Sequence, residues 1–129
     1  MDMPGLYQDY IACLNSRKLD KLHLFVDAAV IYNHKEIGLP GYIKMLEQNY
    51  REIPDLTFTV SLLISEKQYV ASHLSFDCTP TASFLSLPVN GRRIQFTENV
   101  FYKFQDKRIV EVWSVIDKAA IEAQLNDDA

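Results

Sequence analysis

Apolar residues recur at every second position along much of the C-terminal half of the chain. Ile94, Phe96, Val100, Tyr102 and Phe104 do so ahead of Asp106–Lys107, and Val110, Val112 and Ile116 do so after it. Successive side chains of a strand point to opposite faces, so this spacing predicts two long antiparallel strands over 90–117, each with one buried face. Leu56, Phe58, Val60, Leu62 and Ile64 alternate with polar residues still more cleanly and predict a strand with its apolar side inward. After a turn at Glu66-Lys67 the segment 68–77 runs back, with Val70, Leu74 and Phe76 on one face and His73 on the other. The connecting segment 79–88 has room for one helical turn at 83–87.

The N-terminal half has a different period. Leu6, Tyr10 and Leu14 share a helical stripe in 5–16, and Leu19, Leu22 and Phe25 share another in the short helix 18–25. Residues 27–34 have the β-branched and aromatic content of a strand. Gly38-Leu39-Pro40-Gly41 reads as a break, followed by a helix over 41–52 with Ile43, Leu46 and Tyr50 on its apolar side. Asp117 stands where an N-cap belongs, ahead of a short C-terminal helix. Helices first and antiparallel strands last predict one α+β domain over 1–129, a curved sheet with helices on one face and a pocket between them.

Composition narrows the function only slightly. A net charge of −4 argues against a nucleic-acid partner, which would call for a basic face. The apolar runs are too short for a bilayer, and the first six residues lack a signal-peptide pattern. Cys13 and Cys78 have neither metal nor redox spacing and read as buried free thiols, consistent with a cytoplasmic location.

Several short stretches, in order, carry a family likeness: Tyr32-Asn33-His34, Gly38 with Gly41, Pro54-Asp55-Leu56, the segment 84–88, Gly91-Arg92-Arg93, and Arg108-Ile109-Val110-Glu111 followed by Trp113 and Asp117. In these the chain resembles the SnoaL-like polyketide cyclases, within the group that has the nuclear-transport-factor-2-like fold. The resemblance implies a cone-shaped sheet around a deep pocket and a homodimer packed through the sheet. It also implies a small hydrophobic molecule as partner. Where the family's cyclases typically read His-Trp-Asp, this chain reads Val112-Trp113-Ser114, and Val100 stands where they carry a histidine or aspartate. The usual acid/base groups are therefore replaced.

Glu98 is the expected substitute. A three-residue loop around Asp106–Lys107 would place Glu98, Val100, Tyr102, Val110, Val112 and Ser114 on one wall, whereas a two-residue loop would oppose Val100 and Trp113. The first register is preferred. A carboxylate on an apolar wall has a raised pKa and can serve as a general acid or base. His34 is the candidate helper. Tyr102 and Ser114 are candidate orienting groups, and Tyr10, Phe84, Val100 and Val112 are candidate pocket walls. Trp113 is expected on the opposite sheet face, Glu111 in a cross-strand ion pair, and Arg92-Arg93 at a solvated strand start. The histidines do not have metal-site spacing, and no phosphate-cradling or dinucleotide motif is present, so no metal and no cofactor are expected. These features fit cofactor-free isomerisation, cyclisation or hydration of a hydrophobic carbonyl compound. They also fit a protein that binds an apolar ligand without turning it over, or a dimeric interaction module.

Overall fold

A computed structural model describes residues 2–127. Helix α1 (Met3–Asn15) starts at Asp2, whose carboxylate accepts from the Gly5 amide at 3.0 Å. It stops where Arg17 turns left-handed (φ 58°) and the Lys18 amide reaches back to the Cys13 carbonyl at 3.2 Å. A 3-10 turn (Leu19–Leu24) leads into β1 (Val26–Tyr32), and a tight turn at Asn33-His34 leads on to β2 (Lys35–Glu36). Helix α2 spans Gly38–Glu52. The expected break at Gly38–Gly41 is thus its first turn. Pro40 fits there because the first turn leaves its N–H groups unpaired anyway. Gly38 has φ 67°, and a Cβ on it would lie 3.1 Å from the Ala28 carbonyl oxygen.

Strands β3 (Thr59–Glu66), β4 (Tyr69–Cys78), β7 (Ile94–Gln105) and β8 (Arg108–Ile116) form most of a six-stranded sheet ordered β2-β1-β8-β7-β4-β3. β1 runs parallel to β8 and the other pairs are antiparallel. The segment expected to hold a helical turn is instead a small hairpin, β5 (Ser83–Phe84) and β6 (Leu87–Pro88). Its turn residues Leu85 and Ser86 have φ 52° and 63°, the mirror-image turn that hairpins favour. Helix α3 (Lys118–Asn126) is capped by Asp117, whose side chain accepts from the Ala120 amide at 3.1 Å, as the sequence implied.

Two β-bulges decide which side chains face inward. The β7–β8 turn has only two residues, since Gln105 pairs with Arg108. A register shift then follows, so that Tyr102 faces Val112 and Val100 faces Ser114. The expected wall thus forms, but through a bulge rather than a longer loop, and buried Ile109 takes the core position expected of Val110. In β3 the shift falls between Val60 and Leu62. Leu56, Phe58 and Val60 face the core, and Leu63 succeeds them. Leu62 and Ile64 turn outward, each 57% exposed, so the cleanest alternation in the chain covers both faces of the sheet.

The core fills the space between the sheet and the helices, from Tyr7, Tyr10 and Leu14 of α1 to Val70, Leu74, Val100 and Val112 of the sheet. The other face of the sheet carries an apolar row across four strands. By register, Ile64, Ala71, Phe101 and Trp113 stand side by side.

Candidate active site

Two neighbouring spaces that share part of their lining lie between α1, α2, the sheet and the β5–β6 hairpin. The outer cavity, about 310 Å³, is walled by Phe58, Phe76, Phe84 and Phe96. Phe76 and Phe96 stack with ring centroids 4.9 Å apart, and Phe58 and Phe84 each flank this pair at 5.5 Å. The inner chamber, about 50 Å³, is lined by Tyr10, Tyr42, Val100, Tyr102 and Val112 among others. Tyr32, Met45, Asn49, Phe58 and Glu98 line both spaces and form the neck between them.

Glu98 enters the neck from β7 because the strand alternates, with Phe96 and Val100 on the same side. Burial pushes its carboxyl above the usual carboxylate range, and a hydrogen bond donated by the Ser114 hydroxyl partly opposes that rise. Among the described residues no cation pairs with it; the ion pair Arg93–Asp77 lies beside the start of β7 and does not include Glu98. Ser114 is itself fixed from below. The Asn33 side chain accepts from the Ser114 amide at 2.8 Å and donates to the Ser114 carbonyl at 3.2 Å. Asn33 reaches it from a left-handed turn position (φ 47°), a conformation asparagine tolerates well. The Ser114 hydroxyl also acts on the nearby Tyr32 phenol, opposing the rise that burial causes in its pKa.

The inner chamber is a nest of neutral phenols. Tyr10 and Tyr42 share a hydrogen bond of 2.6 Å, and the Tyr7 hydroxyl donates to Tyr102 at 3.4 Å. Burial raises the pKa of all four, so each keeps its proton. With no lysine, arginine or histidine among the described residues lining either space, hydroxyl and amide groups are the hydrogen-bond donors available there.

The structure therefore brings together Glu98, Ser114, Tyr10, Tyr102, Val100, Val112 and Phe84 as the sequence suggested. It does not bring His34. That residue is exposed at φ 71° in the β1–β2 turn and lines neither space, because the strand ends two residues before it. His73 faces outward and shares a 2.5 Å hydrogen bond with Asn99. Trp113 lies on the outer face beside Ile64, Tyr69 and Phe101. Glu111 pairs with Lys103 in the strand register. The two arginines do diverge, but neither is simply solvated. Arg93 chelates Asp77 at 2.6 and 2.7 Å, while Arg92 donates to the Gln124 and Leu125 carbonyls at the end of α3.

Sequence reasoning missed Tyr32, Asn33, Met45 and Asn49 as site residues. The available signal was Asn49, a polar residue one turn beyond Met45 on the inward side of α2.

A cone of mixed sheet closed by helices over an acid-bearing apolar pocket defines a pocket protein of the nuclear-transport-factor-2-like fold. More narrowly, the family model for SnoaL-like polyketide cyclases matches residues 5–125, and the chain belongs to that family. It is similar to the crystal structure of a SnoaL-like polyketide cyclase from Agrobacterium tumefaciens str. C58, with 46% identity, TM-score 0.95, and coverage of 97% of this chain and 98% of that one. TsrD from Streptomyces laurentii shares the fold at 18% identity and TM-score 0.85, each chain covered to 97%. IdmH from Streptomyces antibioticus does so at 20% identity and TM-score 0.84, with 98% of this chain and 99% of that one covered. Among curated protein sequences none matches.

Proposed function

We propose that this protein is a small-molecule enzyme that moves a proton on a hydrophobic, carbonyl-bearing substrate, with Glu98 as the acid/base and no cofactor. Isomerisation, cyclisation and hydration all use that step. The observation that carries the reading is the position of Glu98. Its carboxyl stands at the neck of an aromatic cavity, is shifted upward by burial, and is steadied by Ser114 alone among the described residues. A carboxylate whose pKa is raised by burial is, once ionised, a better base than a solvated one. Ser114 favours the charged form, and the four phenylalanines of the outer cavity would hold a flat apolar substrate against it. The test is α-proton exchange of the bicyclic ketone 2-tetralone in D2O, followed by NMR. The wild-type protein should accelerate exchange, and Glu98→Gln should lower the rate by roughly 10²-fold or more. Equal rates for the two proteins would overturn the assignment.

A second reading, binding without turnover, is favoured by Val100 and Val112. They line the inner chamber at the positions where the family's cyclases carry polar groups.

The same proposal includes a homodimer through the outer face of the sheet. The row Ile64, Ala71, Phe101 and Trp113 supports it, since Phe101 is 57% exposed and stable monomers seldom leave large contiguous apolar patches in water. Among the described residues no helix is long and apolar enough to cross a membrane. Two buried free cysteines are consistent with a reducing, cytoplasmic location.

A further inference from the structure

We infer that Asn49 holds the carbonyl oxygen of the substrate, in the neck and opposite Glu98. The inference rests on the reading of Glu98 as the acid/base. Of the five residues that line both spaces, three have polar ends: Tyr32, Asn49 and Glu98. Glu98 accepts from Ser114, and the same hydroxyl lies close enough to the Tyr32 phenol to oppose the rise in its pKa. The Asn49 carboxamide has no hydrogen-bond partner among the described residues, although its main-chain carbonyl accepts normally from Ile53 at 2.9 Å. Asparagine is a poor residue for the interior of a helix, and here it interrupts an apolar side that includes Met45, Leu46 and Ile53. Among the described residues no side-chain hydrogen bond accounts for it. A carboxamide offers two N–H donors, and that of the half-buried Asn49 is left open where the two spaces meet rather than sealed in the core. A ligand carbonyl in the neck would supply that partner.

The chemistry then balances without any other group. Ionised Glu98 takes a proton from the carbon beside the carbonyl. The C–H electron pair forms a C=C bond, and the carbonyl π pair moves onto oxygen. The Asn49 N–H donates to that oxygen as its charge develops, which is where a fixed donor lowers the barrier most. Return of the proton from Glu98, to the same carbon or another, completes exchange or isomerisation. The substrate class follows from charge. Glu98 and Glu52 both line the cavity and no basic residue does, among the described residues, so a neutral ketone or ester fits and a free carboxylate does not.

The test uses 2-tetralone labelled with 13C at its carbonyl, with wild type, Asn49→Leu and Glu98→Gln. Two quantities are read, the infrared stretch of the bound carbonyl and the α-proton exchange rate. Wild type should lower the stretch relative to the ketone in an apolar solvent. Asn49→Leu should return it to the unbonded value and slow exchange by about 10²-fold. Glu98→Gln should abolish exchange but keep the lowered stretch. A lowered stretch and full exchange in Asn49→Leu, with exchange lost in Glu98→Gln, would overturn the role of Asn49 and leave that of Glu98. Full exchange in Glu98→Gln would overturn the role of Glu98. Failure of wild type to bind the ketone would overturn both. Should thermal melts show that Asn49→Leu does not fold, Asn49→Asp keeps the shape without the amide donor and takes its place.

Discussion

At the residue scale, Glu98 couples the site to stability. Its folded-state pKa is raised, so the native protein holds this proton more tightly than the unfolded chain does. The stability it contributes is full below the ordinary carboxylate range and is lost as pH rises through the raised value. Glu98→Gln removes that loss. Thermal melts between about pH 4 and pH 8 should therefore show the variant gaining on wild type with rising pH. Ser114→Ala should extend the loss to higher pH, since the hydroxyl favours the charged form. Parallel curves for wild type and Glu98→Gln would mean that Glu98 is not desolvated in the native state. Glu98 was legible from its apolar strand neighbours. Asn33 and Tyr32 were not, because their role depends on β1 lying parallel to β8, a pairing across some eighty residues that no local pattern records.

At the element scale, turn chemistry accounts for most departures from the sequence reading. The β7–β8 turn places Asp106 and Lys107 at φ 51° and 65°. Aspartate suits its position, but a lysine pays for its Cβ in the left-handed region. Lys107→Gly gives the Asp-Gly pair that this turn prefers. It should stabilise the fold by about 1 kcal/mol, read as a higher urea midpoint at unchanged slope. An unchanged or lower midpoint would show that the lysine conformation carries no strain or that its side chain makes an offsetting contact. The Leu85-Ser86 turn was missed for a related reason. Neither residue signals a left-handed turn, and the Ser83–Leu87 run is as compatible with a helical turn as with a hairpin. Bulges leave no composition signal at all, which is why the β7–β8 wall was anticipated and the means of forming it was not.

At the scale of the whole molecule, helix-first, strand-last order was enough to give the α+β class, and the resemblance gave the cone. What the alternation could not reveal is that Leu62-Leu63-Ile64 serves both faces. With apolar residues at both parities, a one-residue bulge exchanges the inward set for the outward set without changing the pattern. The outward set matters because it continues across the sheet. Leu62 meets His73, which meets Asn99, which meets Val115, and the neighbouring row runs Ile64, Ala71, Phe101, Trp113. The second row is apolar throughout, and the first places its polar pair, His73 and Asn99, in a mutual hydrogen bond. Such a face is self-complementary in composition, as a two-fold interface needs to be. Phe101, at the centre of the apolar row and making no contribution to the pocket, is the residue to change. Phe101→Glu should halve the mass measured by light scattering after size exclusion and leave the pocket chemistry in place. Desolvating two carboxylates at the centre of an interface costs more than the face can recover. A wild-type protein already monomeric at micromolar concentration would remove the dimer from the proposal. A Phe101→Glu variant that stayed dimeric would move the interface to another surface.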